Sequence, residues 1–186
     1  MAAAIAPMFS SSTGRAVETG LHFSAEELAA LHARLVLQFR SMVEEHRPGS
    51  AFVAPYPRTG DVSPNEILVI PFRSGAALFC IGFLQCDRTT MLVRIGDHGV
   101  FQYSADNPSN QSLAATAELL LTLAMSGRYR EEIWTDTRTG RYEGGQSYFL
   151  DGSQEWQELG PGSRPPASLR ASRHRLTMED RGYESY

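Results

Sequence analysis

Lysine is missing altogether: every one of the 17 basic side chains among the 186 residues is an arginine. A chain without lysine has no Schiff-base amine, no lysine general base and no phosphate-loop lysine. Several large classes of enzyme are therefore excluded. A bias towards GC-rich arginine codons is the simplest explanation, and selection against lysine-directed modification is the alternative.

Cysteine is nearly missing, since only Cys80 and Cys86 are present. Both fall within or at the end of one predicted strand, where six residues of extended chain span about 20 Å. A disulfide requires a much shorter Cα separation, so we do not expect the two to pair. Unpaired buried thiols favour a reducing compartment, and we predict a cytoplasmic protein.

Long apolar runs and excess positive charge are also missing. No run approaches the roughly eighteen apolar residues of a membrane-spanning helix. The first apolar stretch has no basic residue before it and is interrupted by Pro7, which is untypical of a signal peptide. The net charge of -4 is opposite to that of most nucleic-acid-binding proteins. We therefore expect neither a membrane nor a nucleic acid as partner.

Recognisable catalytic motifs are missing as well. The sequence contains no H-E-x-x-H, no C-x-x-C and no phosphate-binding glycine loop. Residues 144–147 do not have the G-x-S-x-G spacing of a nucleophile elbow, and residues 136–140 lack the oxygen ligands of a calcium loop. We expect no catalytic residue, no metal site and no cofactor, and a non-enzymatic role is favoured.

The most apolar stretch that is present covers residues 67–103 and predicts the core. Residues 77–86 are apolar at both odd and even positions, which is typical of a central strand covered on both faces. The connections within the stretch are short, and residues 96–99 form a strong turn signal. Because such short connections cannot cross over a sheet, they predict an antiparallel meander.

Two helices are predicted around this stretch. Ser24 and Glu27 form a capping box, Phe23 is placed to pack on Leu28, and residues 47–49 end the first helix. The second helix is predicted to start at residues 106–108 and to end at Gly127. It is apolar nearly all round, which indicates either packing between layers or an oligomer interface.

The remaining segments complete the predicted organisation. Prolines predict a loop over residues 50–65, and residues 129–136 and 141–150 flank a turn at 137–140 in a hairpin. The fold class is α+β, a two-layer domain with an antiparallel sheet of about five to seven strands and two main helices. Residues 1–21 are expected to be a flexible leader, 22–160 a single domain, and 161–186 a disordered tail rich in Arg, Pro and Ser.

The order of these elements over residues 22–160 resembles that of small secretion-chaperone and immunity-type proteins, without a diagnostic motif. The resemblance implies an acidic, cofactor-free protein that is often dimeric. We accordingly expect a possible homodimer to form through the second helix.

The hairpin carries the densest set of candidate binding residues, because tryptophan, tyrosine and arginine are enriched in interface hot spots. The predicted partner-binding residues are Arg130, Glu132, Trp134, Asp136, Arg138, Arg141 and Tyr142. Two carboxylates beside a tryptophan also resemble a glycosidase acid pair. Cross-strand ion pairs on an exposed sheet are the commoner cause of such a pattern.

Two hypotheses for function follow. The first is a non-catalytic protein-binding module of the chaperone, immunity or adaptor type that binds another protein through the hairpin face. The alternative is a small-molecule-binding protein or enzyme whose curved sheet encloses an apolar pocket. The predicted lining of that pocket is Phe79, Phe83, Phe101 and Tyr103.

Overall fold

The computed structural model describes residues 24–56, 66–83, 90–104, 113–159 and 176–186. Two helices and nine strands occur in these ranges. In chain order they are α1 (Ala25–His46), β1 (Ala51–Tyr56), β2 (Glu66–Pro71), β3 (Phe79–Phe83), β4 (Thr90–Ile95), β5 (Gly99–Ser104), α2 (Leu113–Met125), β6 (Tyr129–Asp136), β7 (Tyr142–Leu150), β8 (Trp156–Leu159) and β9 (Leu176–Gly182).

The strands form two antiparallel sheets. One has five strands in the order β1-β2-β3-β4-β5, and the other has four in the order β8-β7-β6-β9. The predicted α+β class and the antiparallel meander are confirmed. The strands that the sequence assigned to one sheet are divided between two.

Helix α1 begins at the predicted capping box. The Glu27 amide donates to Ser24 Oγ at 3.1 Å, and the Ser24 amide donates to Glu27 Oε2 at 2.7 Å. These hydrogen bonds, with the backbone bond to Ser24 first, lower the pKa of Glu27. Phe23 lies outside the described residues, so its packing on Leu28 stays a prediction. The helix ends at His46, as the sequence indicated.

Strand β3 is the centre of the five-stranded sheet, and each of its residues is buried. This confirms the prediction of a central strand within residues 77–86. The odd-numbered side chains face the helices, and the Phe79 ring meets the Phe39 ring of α1 edge-on at 5.6 Å. Cys80 is buried on the opposite face, and Cys86 lies outside the described residues.

The predicted loop over residues 50–65 is wrong in its first part, because β1 pairs with β2 from Ala51 to Tyr56. Strand β1 is at the edge of the sheet. An edge strand has one side without ladder partners, so it tolerates the missing amide donor of Pro55.

Most of the apolar surface of helix α2 is buried in the core of its own chain. Its apolar residues Leu113, Ala114, Ala117, Leu120, Leu121, Leu123, Ala124 and Met125 are all buried. It packs against α1, β3 and β4. Gly127, at φ +67°, ends it as predicted, and the Arg128 amide donates to the Leu123 carbonyl at 3.1 Å. The predicted start at residues 106–108 lies outside the described ranges.

The end of the chain is ordered, so the expected disordered tail is wrong for residues 176–186. Strand β9 pairs with β6 along its whole length. Tyr186 is buried, its hydroxyl donates to the Ala77 carbonyl at 2.6 Å, and its amide donates to the Met125 carbonyl at 2.9 Å. The segment is polar, but it supplies the ladder partners that one side of β6 requires. Residues 1–23 and 160–175 lie outside the described ranges.

Candidate functional site

Strand β6 presents two different faces because its side chains alternate. Tyr129, Glu131 and Ile133 are buried and point towards the five-stranded sheet. Arg130, Glu132 and Trp134 lie on the opposite face and are half-buried. Strands β7 and β9 flank β6, so the second group lies in the middle of an outward-facing surface.

Arg130 is held at the centre of this surface by one residue from each of the other strands. Its guanidinium carbon lies 4.8 Å from the ring centroid of Tyr148 on β7 and 4.7 Å from that of Trp156 on β8. Its Nη1 lies 3.3 Å from the Asp180 carboxylate on β9. An arginine packed on two aromatic rings and paired with a carboxylate has little rotamer freedom left to lose on binding.

The surrounding side chains extend the surface in both directions. The Tyr148 hydroxyl donates to Glu132 Oε2 at 2.9 Å. Trp134 lies directly opposite the exposed Met178 of β9. We call this surface the aromatic face, and it consists of Arg130, Glu132, Trp134, Tyr148, Trp156, Glu158, Met178 and Asp180.

A carboxylate organises the turn that leads into Trp156. Asp151 Oδ1 accepts from the Ser153 amide and hydroxyl at 2.8 and 2.6 Å and from the Glu155 amide at 3.0 Å. These bonds, with the one from the Ser153 side chain first, lower the pKa of Asp151. The turn thereby brings β8 back alongside β7, where Trp156 reaches Arg130.

The residues predicted for partner binding divide between several places. Arg130, Glu132 and Trp134 come together on the aromatic face. Asp136 instead belongs to the hairpin turn, where its Oδ1 accepts from the amides of Arg138 and Thr139, both at 2.9 Å.

The remaining predicted residues lie at the end of the hairpin or behind it. Arg138 and Arg141 are exposed at that end. Tyr142 lies on the side facing the five-stranded sheet, where its ring stacks on His98 with 4.5 Å between centroids. Four members of the predicted set, Asp136, Arg138, Arg141 and Tyr142, are therefore not part of the aromatic face.

The sequence did not reveal that Tyr148, Trp156, Met178 and Asp180 join this surface. Tyr148 lies on a predicted strand, and the positions of Tyr148 and Trp156 beside Arg130 depend on the register between β6, β7 and β8. Met178 and Asp180 lie in the segment expected to be disordered. The available signal was the two-residue spacing of residues 176, 178 and 180, which places them on one face of a strand.

On the inner face, Glu131 joins the two sheets. Only 1% of its surface is exposed. Its carboxylate accepts five hydrogen bonds, from the amides of Asp97, His98 and Gly99 at 3.2, 3.1 and 2.5 Å and from the hydroxyls of Tyr129 and Tyr183 at 3.0 and 2.5 Å. A carboxylate has about four lone-pair sites, so this one is saturated. We interpret Glu131 as a structural residue.

The two tyrosines of this network stay protonated. Burial raises the pKa of Tyr129, and the charge of Glu131 raises it further. Burial also raises the pKa of Tyr183, with the hydrogen bond to Glu131 as the next cause. Both hydroxyls therefore remain hydrogen-bond donors well above neutral pH.

Glycine is required at both ends of the β4–β5 turn. Gly96 has φ +66°, and a Cβ there would lie 2.5 Å from Tyr183 Oη. A Cβ on Gly99 would overlap Tyr129 Oη. Tyr129 and Tyr183 approach the turn closely because Gly96 and Gly99 have no side chains.

The residues predicted to line a ligand pocket belong to the packed core. Phe79, Phe83 and Phe101 are buried, and Tyr103 is partly buried against them. Burial raises the pKa of Tyr103 to about 12. The small-molecule alternative stays a prediction from the sequence.

Within the described ranges, no group of three or more His, Cys, Asp or Glu residues is arranged to hold a metal ion. Neither α1 nor α2 is long and apolar enough to cross a membrane. Comparisons with protein-family models, curated proteins and solved structures found no match.

Proposed function

We propose that the protein is a non-catalytic protein-binding module of the chaperone, immunity or adaptor type, and that it binds its partner through the aromatic face. The observation that carries the proposal is the Arg130 arrangement, to which all four strands of one sheet contribute a side chain. Tryptophan, tyrosine and arginine are the residue types that contribute most to binding at protein interfaces.

The order within the face favours binding further. Arg130, Tyr148 and Glu132 are held by stacking and hydrogen bonds in the unbound chain. Immobilising a flexible side chain on association costs about 0.5–1.5 kcal/mol. Because these side chains are already held, most of that cost has been met during folding.

The charge of the face indicates the chemistry of the partner. The face has one guanidinium, that of Arg130, and three carboxylates, those of Glu132, Glu158 and Asp180. Its formal net charge is therefore -2. Trp134 and Trp156 add aromatic rings that attract cations. We infer a protein partner that presents arginine or lysine side chains around an apolar contact.

Affinity capture followed by mass spectrometry identifies the partner, and titration calorimetry with the purified partner tests the face. We expect Trp134→Ala and Trp156→Ala each to weaken binding by about tenfold or more, as is typical of hot-spot residues. Tyr142→Ala is the matched control, because Tyr142 is 40% exposed and Trp156 38%, but Tyr142 lies on the other side of the sheet. Unchanged affinity in both tryptophan variants, or a large loss in Tyr142→Ala, overturns the proposal.

The cytoplasmic location is part of the same proposal, and it is supported by the buried thiol of Cys80. Cell fractionation of the tagged chain tests it. Recovery in a secreted or periplasmic fraction contradicts it.

A further inference from the structure

Residues 176–186 form a segment that connects the two sheets, and we call it the β9 strap. It begins as strand β9, which pairs with β6 at one edge of the four-stranded sheet. It then runs past the connection between β2 and β3, where the Glu184 amide donates to the Gly75 carbonyl at 2.9 Å and Glu184 forms a parallel bridge with Ala76. The strap is therefore attached on both sides, and its strand lies at an edge.

The strand part of the strap buries little apolar surface. Each residue of β9 is exposed or half-buried, and Met178 is 53% exposed. In strand β3, by contrast, every residue is buried. The side chains of the Arg73–Glu184 ion pair are both more than half exposed, and such pairs contribute little to stability. Backbone hydrogen bonds to β6 therefore provide most of the attachment of β9.

One side chain anchors the far end of the strap. Tyr186 is buried, its hydroxyl donates to the Ala77 carbonyl at 2.6 Å, and its amide donates to the Met125 carbonyl at 2.9 Å. The backbone just before it passes close to Gly127, where a Cβ would lie 2.9 Å from the Ser185 nitrogen. The strap thus has a buried anchor and a closely fitting site at the end of α2.

These contributions favour opening of the strap without unfolding of the rest of the chain. Fixing the backbone of one residue costs about as much free energy as one net hydrogen bond contributes. The exposed ladder of β9 therefore adds little beyond its own ordering. Segments with few buried apolar contacts and exposed backbone hydrogen bonds open at free energies below that of global unfolding. Burial of Tyr186 supplies what the ladder lacks.

Opening of the strap changes the aromatic face. The strap contributes Met178 and Asp180 to that face, and Asp180 is the carboxylate that pairs with Arg130. On the inner side, the Tyr183 hydroxyl donates to Glu131 Oε2 at 2.5 Å. The aromatic face is therefore complete only while the strap is docked. A partner that contacts Met178 or Asp180 binds the docked state more tightly than the open one.

We propose that the β9 strap docks and undocks as one unit, and that partner binding to the aromatic face locks it in the docked state. A ligand that binds one of two states stabilises that state by mass action. Tyr186 and Asp180 belong to the same segment, so docking at one end is coupled to the face at the other. The locking rests on the proposed function of the aromatic face, whereas the undocking does not.

Hydrogen exchange of the full chain, followed by mass spectrometry under native conditions, tests the undocking. In the wild type, residues 176–186 are expected to exchange about a hundredfold or more faster than β3, because their opening is local. Tyr186→Ala is expected to accelerate exchange along the whole strap by about tenfold or more. Val43→Ala removes buried apolar contacts of α1. It is expected to accelerate exchange of β3 and to leave the strap unchanged.

A second pair of variants acts on the site that receives the strap. Gly127 and Gly140 have nearly the same φ, +67° and +68°, and asparagine tolerates this conformation. A Cβ on Gly127 meets the strap backbone, whereas nothing lies within 4 Å of a Cβ on Gly140. Gly127→Asn is therefore expected to accelerate exchange of the strap, and Gly140→Asn is the matched control. This pair decides the matter if Tyr186→Ala does not keep the wild-type circular dichroism spectrum.

Three results overturn the undocking. They are strap exchange as slow as that of β3 in the wild type, acceleration confined to residues 183–186 in Tyr186→Ala, and acceleration of the strap in Val43→Ala. Equal exchange in Gly127→Asn and Gly140→Asn also contradicts it, because the strap then does not depend on its fit at the end of α2.

The locking is tested with the purified partner obtained by affinity capture. At about a hundred times its dissociation constant, the partner is expected to slow exchange of residues 183–186 by about a hundredfold. These residues are not part of the aromatic face, so their protection reports docking and not contact. Unchanged exchange there overturns the locking and leaves the undocking intact. The tryptophan variants test the proposed function separately, because they are measured by affinity.

Discussion

The inner and outer faces of the four-stranded sheet carry neighbouring glutamates with opposite roles. On the inner face, Glu131 is saturated by three amides and two hydroxyls. On the outer face, half-buried Glu132 accepts from the Tyr148 hydroxyl. The strand's alternation, and not the residue type, decides which glutamate holds the two sheets together and which one lies on the aromatic face.

The difference also separates residues that stabilise the fold from residues that are proposed to bind a partner. Side chains on the inner face use their polar atoms within the chain, so changing them acts mainly on folding. Side chains on the aromatic face are ordered, and all of them except the buried Tyr148 keep an accessible surface. Changing them is expected to act mainly on the proposed partner binding.

Glu131→Gln is the variant expected to have the largest effect. Glutamine removes the charge and turns an amide donor towards a cluster of donors, so buried N–H and O–H groups lose their acceptor. We expect the free energy of unfolding to fall by about 3 kcal/mol or more, measured by urea denaturation. The control is Glu132→Gln, which is expected to cost less than about 1 kcal/mol. Equal losses in the two variants contradict the division between the faces.

Gly99→Ala breaks the same contact from the other sheet. The added Cβ meets Tyr129 Oη, which is held in place by its hydrogen bonds with Ser147 Oγ at 2.8 Å and Glu131 Oε1 at 3.0 Å. We expect a loss of about 2 kcal/mol in thermal or chemical unfolding. Gly152→Ala is the matched control, since nothing lies within 4 Å of a Cβ there. A loss in the control as large as in Gly99→Ala argues against the close contact as the cause.

Alkaline pH is expected to weaken the inner face, and the buried tyrosines Tyr103 and Tyr186, whose pKa values burial also raises, add to the loss of stability. The pKa values of Tyr129 and Tyr183 are raised in the folded state, whereas tyrosine in the unfolded chain ionises near pH 10. Their contribution to the free energy of unfolding is therefore fully present below about pH 10. It is lost as pH rises above that value, and the free energy of unfolding then falls by at most about 1.4 kcal/mol per pH unit for each fully buried tyrosine. Urea denaturation from pH 8 to 11 measures the slope. Tyr183→Phe is expected to make it shallower, and an unchanged slope contradicts the assignment.

Arg130→Ala is expected to affect binding more than folding. Arg130 and Asp180 are partly solvent-exposed, and such ion pairs and cation–π contacts each contribute about 1 kcal/mol or less. Urea denaturation is expected to show a loss of about that size, and calorimetry with the partner a larger loss. A folding defect as large as that of Glu131→Gln places Arg130 among the structural residues instead.

Acid is expected to produce the smallest effect, at the rim of the aromatic face. Because the pKa of Asp151 is lowered, its turn is stabilised at neutral pH and loses that stabilisation as pH falls through the folded-state pKa. In a Trp134→Phe background, the emission of Trp156 is expected to shift at acidic pH before the circular dichroism changes. Asp151→Asn should abolish this early shift, and its persistence assigns it to another group.

Several elements were predictable from residues close together in the chain. The Ser24–Glu27 box, the glycine at the end of α2 and the hairpin turn each depend on contacts within a few residues. Strand β3 was predictable because its burial on both faces leaves a continuous apolar run. These features were confirmed with boundaries close to those expected.

Other elements depended on partners far away in the chain. Strand β9 is polar, and it is ordered because β6, some fifty residues earlier, supplies a ladder. Strand β1 forms in spite of Pro55 because it lies at an edge. The division into two sheets follows from strand pairings that no local pattern indicates. The sequence pattern of an exposed hairpin is the same whichever sheet the hairpin joins.

The chain's own order of residues was enough to specify the class of the fold, the central strand and the outward position of Arg130, Glu132 and Trp134, because alternation and capping are local properties. The tertiary structure alone decided that Tyr148, Trp156 and Asp180 surround Arg130 and that Glu131 is saturated by a distant turn. Those contacts require strand pairing and sheet docking, whose register is set by the burial of side chains from the whole chain.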